Sequence, residues 1–244
     1  MKFDYSYIVL FGRPVFEPMV ILTNVIFFLF CLFFSRELKK VKHDYALHMS
    51  RFIIFMGISG LFGAIAHAVH FQLGDLFFKT IFFISNVLNL LAVYYCFRAT
   101  YSYTHLTTQS YNINFVRFIS MWIIALIGLA FVQNDFVIIK INAAMVLVYA
   151  LVVHYQAYKR REEKGSAIVV TGISISFFSL IVHSLKISLH EWFNYKDIAH
   201  VIMIISLIVI YKGIALNLQT IEARKEDEEE EEEEQSEDLI GNNI

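Results

Sequence analysis

HSLKISLHEWFNYKDIAH, residues 183–200, gathers three histidines, two acids and two lysines between two long apolar segments. Polar groups at this density beside segments that would otherwise dissolve in lipid are costly unless they find partners or water. The stretch therefore reads either as a functional site at a membrane edge or as a solvated loop with a few stray histidines. It also decides the fold, because the runs on either side are each long enough to span a bilayer.

The whole chain repeats that pattern. Of its 244 residues 57% are hydrophobic, with 24 Phe and only 2 Pro, and mean hydropathy is +0.58. This is far from the composition of a soluble domain and predicts an integral, multi-pass membrane protein. Seven segments reach the roughly 20 apolar residues that a spanning helix needs, at about 15–35, 52–72, 77–97, 114–133, 136–157, 167–189 and 197–217. The predicted fold is all-α, a seven-helix transmembrane bundle over residues 1–220 whose short connections make neighbours antiparallel. Cys31 and Cys96 fall inside apolar runs and match no metal or redox spacing, so they read as small apolar side chains.

The net charge of −2 conceals two opposite parts. Residues 222–238 hold 12 acidic and 2 basic residues, which leaves 10 acidic and 18 basic residues in the body, a net +8. The acidic run repels itself and has no apolar face, so residues 221–244 are expected to be a disordered tail. Lysine and arginine in the short loops set the expected orientation. Arg36, Lys39, Lys40, Lys42 and Arg51 follow the first segment, Arg98 and Arg117 flank the loop after the third, and Lys159, Arg160, Arg161 and Lys164 follow the fifth. Those loops are predicted to be cytoplasmic, with the amino terminus outside, the tail inside and the protein in the plasma (inner) membrane. The tail is a candidate docking element for a cytoplasmic partner, and nothing points to nucleic acid.

With that orientation the unusual polar residues converge on the outer leaflet. Glu17 begins the first segment, His67 and His70 end the second with Asp75 just beyond, His183, Lys186 and His190 end the sixth, and Asp197 and His200 begin the seventh. Gly57, Gly60 and Gly63 make a small-residue face on the second segment that lets a neighbour approach. His67 continues that face. Neutral imidazoles three apart on one face can approach one zinc, iron or copper ion, although histidines bonded to a neighbouring helix have the same spacing. Asp197 reads as a ligand, as an orienter of an imidazole or as a helix cap, and Glu17 as a cap or a general base. His67, His190 and His200, with His70 in reserve, form the candidate metal set; Glu17, Asp75 and Asp197 are the candidate catalytic acids.

Seven helices with an outer amino terminus, a second-helix histidine after small residues, an acid shortly beyond, and an acid plus histidine heading the seventh resemble the CREST superfamily of membrane hydrolases. That superfamily includes alkaline ceramidases and adiponectin-receptor-like proteins; the last segment, FNYKDIAHVIMIISLIVIYKG, looks like a divergent bacterial branch of it. The resemblance implies a zinc ion held by histidines of the second and seventh helices, with His67, Asp75 and His200 taking the family's positions. Two departures stand out: Lys196 occupies the place of the other seventh-helix histidine, and Ser59 lies eight rather than four residues before His67. The function so expected is zinc-dependent hydrolysis of a lipid amide or ester at the outer face, with zinc lowering the pKa of a bound water. The alternative is a non-enzymatic receptor or sensor that binds a ligand or metal at the outer histidines.

Overall fold

The computed structural model describes residues 6–108, 113–133 and 136–241, with the side chains at 10, 13, 69–73, 105–108, 136 and 225–241 excepted. Apolar sequence folds into six helices: α1 Pro18–Lys39, α2 Asp44–Thr108, α3 Ile113–Gln133, α4 Phe136–Arg161, α5 Lys164–Leu185 and α6 Tyr195–Gly241. They supply seven stretches long and apolar enough to cross a membrane, because α2 contributes two, Asp44–Ala68 and Gly74–Thr104.

The sequence predicts a loop between the second and third segments. A single residue does that work instead: Gly74, at φ 77° and ψ 171°, lies in a region closed to side chains with a Cβ and folds α2 back on itself. The two arms are tied by a reciprocal pair in which Ser59 Oγ donates to the Ser85 carbonyl and Ser85 Oγ to the Ser59 carbonyl, both at 2.9 Å. Such pairs let two polar residues sit in an apolar bundle with every group met.

A β-hairpin precedes the helices, an element the sequence reading does not include. Strand β1, Tyr7–Leu10, pairs antiparallel with β2, Arg13–Phe16. Phe11 and Gly12 at φ 52° and 75° make a two-residue turn of the kind that matches strand twist. The Glu17 amide donates to the Ser6 carbonyl at 2.9 Å and closes the base of the hairpin against α1.

Two helix pairs are packed at backbone distance. A Cβ on Gly172 would lie 2.5 Å from Ile210 Cγ1 and 2.9 Å from the Ile210 nitrogen, and one on Gly213 would lie 2.7 Å from the Gly165 carbonyl, so α5 and α6 touch main chain to main chain. Gly57 brings α2 equally close to α1, where a Cβ would lie 2.6 Å from that of Cys31. This is the packing expected where lipid supplies no hydrophobic drive and dispersion has to hold helices together. Around these seams Phe27, Phe34, Leu38, Ile53, Leu207 and Ile214 form the main core, with Phe34 stacked on Tyr211 at 4.3 Å. Both cysteines are buried free thiols, Cys31 within that core, in keeping with their apolar reading.

α6 continues past its apolar part, through the glutamate run, to Gly241, where the sequence predicts disorder. Glutamate is a strong helix former, and a helix already nucleated by a packed segment extends residue by residue without a new nucleation cost.

Candidate functional site

At the hairpin end of the bundle the starts of α1 and α6 meet. Asn194 precedes α6, and its Oδ1 accepts the Lys196 amide at 2.8 Å while Asp197 Oδ2 accepts the Asn194 amide at 2.9 Å. This is a variant of the capping box: the cap residue's side chain takes an amide two residues on, and the residue three later takes the cap residue's own amide. Asp197 is fully buried and its other oxygen faces the Thr23 hydroxyl at 3.3 Å. Of the readings the sequence leaves open for Asp197, the cap is the one this geometry displays: Oδ2 holds the helix start and Oδ1 ties it to α1.

Glu17 shows the reverse. It sits in the left-handed region at φ 49° before Pro18 and makes no side-chain cap bond. Its carboxylate, 5% exposed, turns to Lys196, whose Nζ lies 2.7 Å from both oxygens. His67 Nδ1 stands 3.4 Å from Oε2, and Asn194 Nδ2 3.5 Å from Oε1. Lys196 thus supplies the cation that neutralises Glu17.

One turn further into α1, Thr23 Oγ1 and Asn24 Nδ2 approach His200 Nδ1 at 3.0 and 3.3 Å. Asn24 Nδ2 also donates to the Val20 carbonyl at 2.8 Å, so the amide is fixed as donor. His200 Nδ1 then accepts, and the ring proton sits on Nε2. Asn24 Oδ1 faces Gly60, where an added Cβ would lie 2.8 Å from it. The small-residue face of α2 therefore makes room for a polar clamp on α1, beyond the close approach that the sequence predicts.

Beneath this cluster lies a cavity of about 650 Å³. Its polar end carries His67, Lys140, His183, Tyr195, Lys196 and His200. Phe27, Phe52, Met56, Val93, Leu207 and Ile210 line the deeper part. Between the levels of Phe52 and His67 on α2 the helical rise gives a depth of about 22 Å. The volume falls in the range of roughly 300–1,000 Å³ typical of small-molecule sites.

The predicted metal set does not assemble. Among the described residues no group of three or more His, Cys, Asp and Glu is placed to hold a metal ion. His190, exposed in the loop between α5 and α6, accepts the Trp192 amide on Nδ1 at 3.2 Å and pairs with Phe193 through a short antiparallel bridge. The six-residue loop that separates it from Asp197 does not bring it inward, because the bridge turns it to solvent. His67 and His200 both line the cavity, but one faces Glu17 and the other the Thr23–Asn24 clamp. Asp75 is exposed beyond the Gly74 bend and does not line the cavity. The His70 side chain lies outside the described residues.

A second polar cluster, at the opposite end, is absent from the sequence reading. Tyr103 donates to Glu163 Oε2, its hydroxyl lies 2.6 Å from Ser166 Oγ, and Ser166 Oγ lies 3.1 Å from His154 Nδ1. Asn217 Nδ2 donates to Ser166 Oγ at 3.3 Å, and Arg224 Nη1 to Glu163 Oε1 at 3.1 Å. Tyr103, His154 and Ser166 are buried to 1% exposure or less. None of them lines the cavity; the network joins helices. Its members are spread over α2, α4, α5 and α6, and only the pairing of buried Tyr, His and Ser near span ends hints at it in the sequence.

No curated protein and no solved structure matches the chain. Residues 19–219 match the model of a family described as Family of unknown function (DUF6962). The match runs from the first turn of α1 through most of the apolar part of α6 and takes in the cavity and both polar clusters except Glu17 and Arg224; the chain belongs to that family.

Proposed function

We propose that this chain is a non-enzymatic seven-helix receptor or sensor that takes one single-chain amphiphile into the bundle. The supporting observation is the division of the cavity: its cationic and imidazole groups stand at one end and its apolar walls run about 22 Å into the bundle. An amphiphile of one chain matches both the length and the volume, with its polar group against Lys196, His67 and the Nε2–H of His200. The zinc-dependent hydrolase takes second place because its three donors face three different partners. In this reading the hairpin end is the outer face of a plasma (inner) membrane, and the acidic tail meets a cytoplasmic partner.

Protein purified in mild detergent without added lipid is denatured, extracted and analysed by mass spectrometry. About one single-chain amphiphile per chain is expected on the wild type, and loss of it from Ala144→Trp, which fills the cavity wall. An empty wild type, or undiminished occupancy in the variant, rejects the reading. A protease-accessible tag before Met1 and a protected one after Ile244 in intact cells are expected from the orientation, and the reverse pattern overturns it.

A further inference from the structure

The two arms of α2 carry a feature that neither the cavity nor the buried network uses. On the first arm His48 is 7% exposed, and its Nδ1 is buried without a hydrogen-bond partner. Its ring stacks on Tyr95 of the second arm at 6.0 Å, and the Arg51 guanidinium lies over the same Tyr95 ring at 5.3 Å. Beside them Tyr94 packs edge-on to Tyr95 at 5.4 Å, and Arg98 donates to the Tyr94 hydroxyl at 3.1 Å. Both guanidiniums act electrostatically on the His48 ring, with Asp44 the carboxylate that does so. Neither arginine forms an ion pair with a carboxylate among the described residues.

Two half-buried arginines brought together beside an unmet ring nitrogen is an arrangement that costs free energy until an anion with several acceptor oxygens arrives. Arg51 lies seven residues into α2 and Arg98 six residues before Thr104, the end of the second apolar stretch. By helical rise both sit on the order of 10 Å inside the helix ends, the depth of lipid head groups. Planar guanidiniums held by aromatic rings are pre-set for bidentate phosphate contact, which a snorkelling lysine at the same depth is not. We propose that the notch formed by His48, Arg51, Tyr94, Tyr95 and Arg98 is a binding site for the phosphodiester of an anionic phospholipid in the leaflet opposite the hairpin.

The test titrates the full-length protein in mild detergent with phosphatidylglycerol, phosphatidylcholine or inorganic phosphate, and counts retained lipid by native mass spectrometry alongside thermal stability. Phosphatidylglycerol is expected to be retained and to raise the melting temperature; phosphatidylcholine is not. Arg51→Gln and Arg98→Gln should each weaken apparent affinity by roughly ten- to a hundredfold, while the double change Lys39→Gln with Lys42→Gln, at the same end of the bundle, leaves it unaltered. Equal weakening by the lysine pair means bulk charge and overturns the proposal, as does full retention by the arginine variants. A stabilisation of the same size with inorganic phosphate alone assigns the notch to a soluble anion and overturns the lipid assignment. If the glutamine variants cannot be extracted, Arg98→Lys carries the test: it keeps the charge but not the fork, so lost selectivity is expected and preserved selectivity rejects the site.

Discussion

Lys196 Nζ stands 2.7 Å from both carboxylate oxygens of Glu17, a residue 179 positions earlier in the chain. With side-chain exposures of 13% and 5%, the pair is largely out of water. Its attraction is balanced against desolvation, so that removing one partner costs more than removing both. Glu17→Gln and Lys196→Met should each destabilise the detergent-solubilised protein by about 3–5 kcal/mol. The double variant should recover a large part of that loss. Denaturant unfolding of the three proteins checks it, and strictly additive losses would mean that the pair is not coupled.

Gly60→Ala tests the clamp on His200. The new Cβ would lie 2.8 Å from Asn24 Oδ1, so the amide has to move and His200 Nδ1 keeps only the Thr23 hydroxyl of its two partners. The expected outcome is a selective loss of bound amphiphile, with thermal stability lowered by roughly 1–3 kcal/mol. Asn24→Ala, which removes the obstruction and the donor together, should restore stability to Gly60→Ala without restoring the ligand.

Gly172→Ala meets backbone and cannot be accommodated by a rotamer change. Its Cβ would lie 2.9 Å from the Ile210 nitrogen, and α5 must shift away from α6. A loss of roughly 1–3 kcal/mol is expected from such overpacking. Gly128→Ala, which meets nothing within 4 Å on α3, should be neutral or slightly stabilising. Melting temperatures of the two variants side by side decide the matter.

Two truncations test how α6 is anchored. Ending the chain after Arg224 keeps the contact of Arg224 Nη1 with Glu163 Oε1 at 3.1 Å, and should leave stability within error. Ending it after Ala223 removes that partner from a carboxylate that also takes the Tyr103 hydroxyl, and should lower the melting temperature measurably. Equal behaviour of the two would show that Glu163 does not need the arginine.

The spans were legible because about 20 apolar residues in a row admit few other structures, and all seven predicted segments correspond to stretches of helix long enough to cross. What sequence could not supply was which partner each polar side chain chooses. Glu17 and Asp197 both offered a cap or a chemical role, and what they do depends on Lys196 and Thr23, which reach them only after the ends of α1 and α6 meet. His190 was near His200 in sequence, yet a two-residue bridge turns it outward. The hairpin escaped notice because four-residue strands carry little periodic signal, even with a Phe11–Gly12 turn between them. Buried networks such as Tyr103–Glu163–Ser166–His154 depend on contacts between residues 12, 60 and 63 positions apart, beyond the reach of any local pattern.

Backbone contact at Gly172 and Gly213 locks α5 to α6, and the seam at Gly57 locks α1 to the first arm of α2. Mechanically the molecule is then two stiff jaws rather than seven independent rods. The cavity draws walls from both jaws, and Glu17 on one grips Lys196 on the other at its rim. In the proposed reading, a guest entering from that end has to part a row of polar contacts between the jaws, Glu17 with Lys196 and Thr23 and Asn24 with Asp197 and His200, while the interiors of the jaws stay intact.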